Sequence, residues 1–201
     1  MIAGAATAVI VGSASAADLV AHRATYEMRL STAKRSSGVV DVRGTMILET
    51  VDACDFWETK QRIQLTFLRT DSDEFTTDST FASLESKDGT NLQFSVRNAQ
   101  NGELEDELRG VADLSADGTG KARFTQPEER EFPLPRGTIF PVQHLSRLID
   151  DARAGETVKS YSLFDGARLD GAFKVNAVIG PSPRRQLSPT PRGDLSLLRN
   201  Q

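Results

Sequence analysis

Alternation of apolar and polar residues with a period of two predicts that most of this chain forms β-strands. The alternation is clearest in four segments, which are residues 39–49, 62–68, 92–97 and 173–179. Strands with one apolar and one polar face are typical of antiparallel sheets, whereas doubly wound parallel sheets use continuous apolar strands. A short edge strand is also predicted at 131–134, inside a proline-rich linker that spans residues 125–141.

Turn-forming dipeptides separate the predicted strands. They pair an Asp or Asn with a Gly, and they are Asp88-Gly89, Asn101-Gly102, Asp117-Gly118, Asp165-Gly166 and Asp170-Gly171. Such pairs suit two-residue hairpin turns, in which both central residues have a positive φ. The sequence therefore predicts a succession of β-hairpins.

One segment departs from this rhythm and predicts an α-helix at about 141–154. Its apolar residues recur at helical spacing, and they are Val142, Leu145, Leu148, Ile149 and Ala152. Pro141 suits the first helical turn, and Gly155 suits the position just after the helix end. A single amphipathic helix has to bury its apolar stripe. We therefore predict a mainly-β fold in which a strongly curved antiparallel sheet wraps this one central helix.

The two ends of the chain differ from its body, which is predicted to be one domain spanning residues 18–180. Residues 1–17 are uncharged, small and apolar, and they end in the cleavage pattern Ala14-Ser15-Ala16, which predicts a secretory signal peptide. A buried Ala-rich helix or a short anchor is the alternative. The segment 181–201 is rich in Pro, Arg and Ser, without strand alternation, and is predicted to be disordered. This ending suggests a truncated or frame-shifted product.

Composition narrows the function. The 201 residues carry a net charge of -4, which argues against a nucleic-acid-binding protein. The body lacks an apolar stretch of the roughly 18 residues that a membrane span needs, so no span is expected once the signal is cleaved. Two histidines and one cysteine leave little material for a metal site, and no catalytic or cofactor-binding motif is present. We therefore predict a protein that is not an enzyme and holds neither metal nor cofactor.

Four residues are candidates for binding or redox chemistry. Cys54 is either half of a disulfide, a reactive thiol or a buried small residue, and the carboxylates beside it discourage nucleophilic chemistry. Phe56 and Trp57 could anchor a partner or a ligand, although large aromatic residues more often lie in the core. His144, near the helix start, is a candidate contact, or else a structural histidine.

Several stretches of sequence resemble one protein family. They are LVAHRATYEMRLSTA from Leu19, SGVVDVRGTM from Ser37, ACDFWET around Cys54, DGTNLQFSVRN from Asp88, FPLPRGTIFPVQHLSRLIDDARAGE from Phe132 and LFDGARLDGAFKVNAVIG from Leu163. These stretches are similar to the EipB-type cell-envelope integrity family of alphaproteobacterial periplasmic proteins. The resemblance covers residues 19–180.

The resemblance implies a periplasmic protein folded as a β-spiral around a central helix. It implies a role in cell-envelope integrity, no enzymatic activity, and a periplasmic tetratricopeptide-repeat protein as partner. A binding or scaffolding module is our first hypothesis. A carrier of lipid or lipoprotein, using the concave β surface, is the second. An envelope hydrolase has no motif in its favour.

This chain also differs from the usual members of that family. Family members are usually longer and carry a second cysteine that is bridged to the one matching Cys54, whereas this chain has a single cysteine. Cys54 is then a disulfide half without its partner, or a thiol available for a bridge between chains. Loss of such a bridge costs on the order of 4 kcal/mol in the chain-entropy model. Loss of the last strands would leave an open sheet edge.

Overall fold

The computed structural model describes residues 19–70 and 73–180. Within these residues it contains the following elements: β1 (His22–Arg29), β2 (Val39–Ala53), β3 (Phe56–Arg69), β4 (Glu74–Ser86), β5 (Asn91–Gln100), β6 (Glu103–Leu114), β7 (Gly120–Gln126), β8 (Arg130–Leu134), β9 (Thr138–Ile139), α1 (Pro141–Arg153), β10 (Val158–Leu163) and β11 (Phe173–Val178). A single 3-10 turn, Arg35–Ser37, precedes β2. The predicted signal peptide at 1–17 and the predicted disordered tail at 181–201 lie outside the described residues.

The strands form two sheets. Strands β1 to β8 follow one another as an antiparallel meander, each paired with its neighbour in sequence. In the second sheet β10 pairs antiparallel with β11 and parallel with the short β9. The large sheet is not closed, since β1 and β8 each have one neighbour among the described strands. The prediction of a mainly-β, antiparallel fold with one helix is confirmed.

Three of the five turn dipeptides form hairpin turns, with two different backbone conformations. At Asn101-Gly102 both residues have a positive φ, 52° and 84°, as the hairpin prediction requires. In the turns that contain Asp88 and Asp117, only the glycine has a positive φ, and the Asp side chain accepts a hydrogen bond from the backbone N–H two residues later. The two later dipeptides are not hairpin turns. Both lie in one long connection, residues 164–172, that joins β10 to β11.

The core lies on one face of the large sheet, which we call the inner face. The part of this face that belongs to β5–β8 is called the sealed half. Its centre is a group of phenylalanines in edge-to-face contact. The ring of Phe94 lies 5.0 Å from that of Phe124 and 5.6 Å from that of Phe164, which belongs to the 164–172 connection. Phe140, just before α1, completes the cover at 6.5 Å from Phe164. All four are at least 96% buried.

The same face continues across β4, β3, β2 and β1, and we call this part the open half. The register links the two halves, because Val96 of β5 lies opposite Phe81 of β4, which lies opposite Gln61 of β3. Apolar residues of the open half are only half-buried, and they include Met46, Leu48, Ile63, Leu65 and Phe81. The small sheet therefore covers one half of the face and leaves the other accessible.

Helix α1 begins and ends close to its predicted bounds, with Pro141 in its first turn and Gly155, at φ 79°, just beyond its end. The predicted central position of the helix is not confirmed. No residue of α1 is fully buried, and Leu145 of the apolar stripe is 47% exposed. The physical reason is that α1 packs along β10, while its first turn is joined to the large sheet through Glu85.

Candidate functional site

Cys54 lies at the tip of the β2–β3 hairpin. The turn consists of Cys54 and Asp55, since Ala53 pairs with Phe56 on either side. The thiol is exposed, and the backbone of Cys54 has a φ of 57°, which is uncommon for a residue other than glycine. The structure therefore excludes the buried small-residue interpretation and leaves an accessible thiol at a strained turn.

Phe56 and Trp57 follow that turn at the start of β3. Phe56 is 36% exposed, and Trp57 is half-buried. The Nζ atom of Lys87 lies 5.3 Å from the centre of the Trp57 ring and 2.6 Å from a carboxylate oxygen of Asp52. This arrangement combines a cation–π contact with an ion pair. A contact role for these two aromatic residues stays a prediction.

His144 lies in the first turn of α1, whereas the other candidate residues lie at the β2–β3 tip. Its ring packs edge-on against Tyr161 of β10, with ring centroids 4.8 Å apart. The Nε2 atom is buried and has no hydrogen-bond partner within the described part of the chain. Burial lowers the pKa of His144, so the ring is neutral at pH 7. The geometry favours a packing role over a binding role.

Glu85, near the end of β4, holds the first turn of α1 against the sheet. One carboxylate oxygen accepts a hydrogen bond of 2.7 Å from the backbone N–H of Val142, and the other accepts one of 2.8 Å from that of Gln143. These N–H groups have no partner inside the helix, so the carboxylate satisfies them. The residue before the helix, Phe140, makes no side-chain cap. Glu85 therefore takes over the role of the N-cap from 57 residues away in sequence.

The environment of Glu85 is unusual for a carboxylate. The residue is 1% exposed, and its register partners are Trp57 on β3 and Leu92 on β5. Burial raises the pKa of Glu85 to about 7, against the two backbone N–H groups, which lower it. A proton therefore binds to or leaves this buried group close to neutral pH.

The sequence prediction missed Glu85. Its signal was present, since in strand β4 it shares one face with Phe81 and Ser83, where an acidic residue conflicts with the apolar pattern. The register links this missed residue to a predicted one, because Trp57 lies directly opposite Glu85. The anchor of α1 and the aromatic residues near the β2–β3 tip thus lie at the same end of the sheet.

The far end of α1 is held by β10. The hydroxyl of Tyr161 donates a hydrogen bond to the carboxylate of Asp151, and the Nζ atom of Lys159 lies 3.6 Å from the same carboxylate. Burial and the neighbouring carboxylate raise the pKa of Tyr161 to about 12. Tyr161 therefore stays protonated and remains a donor at any physiological pH.

A cavity of about 340 Å³ lies where the open half meets the first residue of α1. Its lining mixes apolar and polar side chains, namely Gln61, Ile63, Ser79, Phe81, Val96, Asn98, Pro141, Asp165 and Ala167. The hydroxyl of Ser79 donates to the amide oxygen of Asn98, which fixes part of the polar wall. A cavity of this size, with an apolar wall and a few polar groups in its lining, is typical of small-ligand sites.

Two kinds of feature are absent from the part of the chain that the structure describes. Residues 19–70 and 73–180 contain no group of three or more His, Cys, Asp or Glu side chains arranged to hold a metal ion. Within the same residues, α1 is too short and too polar to cross a membrane.

Comparison with known proteins places the fold and its sites in context. A model of the EipB-like family matches residues 13–199, which is most of the chain. The chain belongs to the EipB-like family. The family match extends beyond the 19–180 over which the quoted stretches show the resemblance.

Two relatives illustrate how far the similarity reaches. The chain is 34% identical over 183 residues to the cell envelope integrity protein EipB of Brucella abortus, covering 89% of this chain and 62% of that protein. It therefore spans less than two thirds of the length of this curated relative. It is also similar to the crystal structure of a beta-barrel-like protein of a domain of unknown function, DUF1849, from Brucella abortus. That match has a TM-score of 0.76 and 29% identity, and covers 81% of this chain and 68% of that one.

Proposed function

We propose that this protein acts in the bacterial cell envelope, in the periplasm, as a non-enzymatic binding or scaffolding module that maintains envelope integrity. Membership of the EipB-like family supports the proposal, together with similarity to a protein named for cell envelope integrity. The predicted signal peptide at 1–17 supports export to the periplasm. The proposal also includes the β-spiral around α1 that the family resemblance implies.

The observation that carries the binding role is the open half of the inner face. Apolar side chains such as Met46, Ile63 and Leu65 line this face and are only half-buried, near β1, which pairs with β2 alone among the described strands. Contiguous exposed apolar surface on a soluble domain usually marks an interaction site. A protein partner covers this surface in our proposal, and the family resemblance favours a periplasmic tetratricopeptide-repeat protein.

A second candidate function is that of a lipid or lipoprotein carrier. The cavity at the border of the open half favours it, because Ile63, Phe81 and Val96 offer an apolar wall beside the polar Asn98 and Asp165. An acyl chain would lie along the apolar wall and extend across the open half. Its polar end would meet the amide and the carboxylate.

A pair of variants on one strand tests the main proposal. In strand β3, Ile63 points to the inner face and its neighbour Gln64 to the outer face. We expect Ile63→Lys to abolish rescue of a strain lacking the gene under detergent stress, while Gln64→Lys, whose charge lies beside the Asp78 carboxylate on the outer face, rescues fully. Both variants have to reach wild-type levels in the periplasmic fraction. Equal rescue by both variants contradicts binding through the open half.

Three further measurements distinguish a protein partner from a lipid ligand and check the compartment. Cross-linking in the periplasm followed by affinity capture is expected to recover a tetratricopeptide-repeat protein with Gln64→Lys and to lose it with Ile63→Lys. Native mass spectrometry of the purified protein is expected to show no stoichiometric lipid, and a bound acyl ligand would favour the carrier instead. Recovery of the intact chain in the cytosol would contradict the proposed location.

A further inference from the structure

We propose that β1 is an association edge of the large sheet, through which two copies of this chain pair antiparallel about a two-fold axis at Thr25. The occupant of the edge is therefore a second copy of this chain. The pairing follows from the backbone and the charges of β1, and it does not depend on the proposed function.

The two edges of the large sheet differ in how well they are protected against further pairing. Among the described strands, β1 pairs with β2 alone and β8 pairs with β7 alone. Strand β8 has only five residues and contains Pro133, and short edge strands with a proline resist the addition of another strand. Strand β1 has eight residues, no proline, and an unbroken register with β2 from His22 to Arg29. It is therefore the edge that a further strand can join.

Backbone groups of alternate β1 residues point away from β2. The N–H of Leu30, just after β1, donates a hydrogen bond of 2.9 Å to the carbonyl oxygen of Val42, and this pair continues the register of the two strands. Hydrogen-bonded pairs recur at every second residue of an antiparallel ladder, so the even-numbered residues of β1 bond to β2. The N–H and C=O groups of Arg23, Thr25 and Glu27 then point to the side where residues 19–70 and 73–180 provide no neighbouring strand.

The charges of β1 select one register for the second copy. With Thr25 opposite itself, Arg23 lies opposite Glu27 of the other copy, and the two-fold axis creates this pair twice. With Tyr26 opposite itself, Arg23 would meet Arg29, and with Glu27 opposite itself two glutamates would meet. Of the registers that pair most of β1, the one through Thr25 sets opposite charges against each other.

The ion pair that Glu27 makes within its own chain does not prevent this. The Nη2 atom of Arg29 lies 2.5 Å from the Glu27 carboxylate, and both side chains are highly exposed, 73% and 69%. Exposed pairs of this kind contribute little free energy. The carboxylate of Glu27 also has a second oxygen, which can accept from Arg23 of the other copy.

On the inner side, the same register sets a large side chain against a small one. Tyr26 is 45% exposed, and Ala24 is half-buried. In the register through Thr25, Tyr26 of each copy lies opposite Ala24 of the other, at a position without a hydrogen bond between the copies, where opposed side chains come closest. Association thus covers an aromatic ring that the single chain leaves exposed.

Pairing along β1 would join two eight-stranded sheets edge to edge. The two inner faces would lie on the same side, because opposed residues of antiparallel strands point to the same face. The open halves, which include Met46 and Ile63, would then adjoin and form one apolar surface of twice the extent. Growth stops at two copies, since the interface is isologous and the β8 edges are protected.

Cysteine cross-linking tests the register. Thr25→Cys is made in a Cys54→Ser background, so that the chain carries a single cysteine, and the full chain is purified from the periplasm. Residues opposed in a hydrogen-bonded pair have Cα atoms about 5.5 Å apart, a distance that a disulfide spans. Mild oxidation is therefore expected to convert most of Thr25→Cys into a covalent dimer. Thr45→Cys, exposed on the outer face of β2 in the same background, is the matched control and is expected to stay monomeric.

Charge reversal tests the same pairing independently by sedimentation equilibrium. Arg23→Glu and Glu27→Arg are each expected to raise the dimer dissociation constant roughly tenfold or more, because each sets like charges against each other twice. An equimolar mixture of the two variants is expected to dimerise like wild type, since every pair again joins opposite charges. Arg97→Glu, which reverses an exposed charge on β5, is the control and is expected to have no effect.

Four results would overturn the association edge. The first is a wild-type chain that stays monomeric at every concentration up to its solubility limit. The second is equal cross-linking of Thr25→Cys and Thr45→Cys, which would indicate random collision. The third is a dimer that Arg23→Glu does not weaken, which would place the contact elsewhere on the molecule. The fourth is a monomeric Thr25→Cys whose thiol resists alkylation, which would mean that another segment of the same chain covers the edge.

Discussion

The sealed and open halves of the inner face belong to one sheet with one register, yet they differ sharply in burial. Strands β5 to β8 bury Leu92, Phe94, Leu108 and Phe124 to within a few per cent of complete exclusion from water. Strands β1 to β3 bury no side chain completely, and β4 buries the polar Ser83 and Glu85. What differs is the cover, since β9, Phe140 and the 164–172 connection lie over the sealed half, and the connection reaches the border of the open half at the 340 Å³ cavity. A strand's apolar alternation therefore predicts which face is buried but not how deeply.

The largest expected effect lies in the sealed half. Phe124 is 2% exposed and meets three other phenylalanine rings, so Phe124→Ala would leave a cavity and remove about 3–5 kcal/mol of unfolding free energy. Phe81→Ala, in the half-buried open half, is expected to cost less than half as much. Urea denaturation monitored by circular dichroism measures both values. Equal losses would mean that the open half is covered in solution.

Close backbone approach in the sealed half gives the second prediction. A Cβ atom at Gly110 would lie 2.5 Å from the Phe94 ring and 2.4 Å from the carbonyl oxygen of Arg123. Contacts this short force the strand or the ring to move, so Gly110→Ala is expected to destabilise the protein by about 2 kcal/mol or more. Gly180→Ala is the control, because its Cβ would meet nothing within 4 Å among residues 19–70 and 73–180. A thermal shift that is the same for both variants would contradict this close approach of Gly110 to Phe94.

The two ends of α1 allow a smaller test of the same contrast. The far end of the helix is joined to β10 by the hydrogen bond from Tyr161 to Asp151, which is partly exposed. Tyr161→Phe removes this bond while keeping the ring against His144, and is expected to cost about 1 kcal/mol. Asp150→Asn, one residue away from Asp151, weakens the ion pair of Asp150 with Arg153 but leaves the hydrogen bond of Tyr161 in place, and it serves as the comparison. A loss in Tyr161→Phe as large as that in Phe124→Ala would place the main anchor of α1 at β10 instead of at Glu85.

Sequence periodicity predicted most of β2, β3, β5 and β11, and it did not predict β4, β6, β7 or β10, although β6 and β7 also bury an apolar face. Strand β4 was not predicted, because residues 74–82 are mostly polar and its strand conformation depends on pairing with β3 and β5. The helix bounds were predicted well, since Pro141 and Gly155 are local signals. The depth to which the apolar stripe of the helix is buried was not predicted, because the exposure of Leu145 depends on which distant segments cover it.

The candidate site shows the same division between local and distant information. The two-residue turn at Cys54 depends on residues that are adjacent in the sequence, so the information is local. The cap by Glu85 joins residues 57 positions apart, so no short window of sequence reveals it. The alternation in segment 62–68 also resembles that in 92–97, although one lies in the open half and the other in the sealed half. Only the tertiary arrangement of the 164–172 connection distinguishes them.

The smallest effect on stability is expected at Cys54, which lies beyond both halves at the hairpin tip. The thiol is exposed and packs against nothing that folding requires, so Cys54→Ser should change the unfolding free energy by less than about 0.5 kcal/mol under reducing conditions. Under oxidising conditions wild type is expected to form a covalent dimer on non-reducing gels, because an accessible cysteine without an intramolecular partner reacts with a second chain. The serine variant should remain monomeric on the same gel. A substantial loss of stability in Cys54→Ser would instead show that the strained turn depends on the thiol. Cys54→Gly, which adopts the positive φ without strain, is expected to be at least as stable as Cys54→Ser, and a larger loss than in Cys54→Ser would contradict the strained turn.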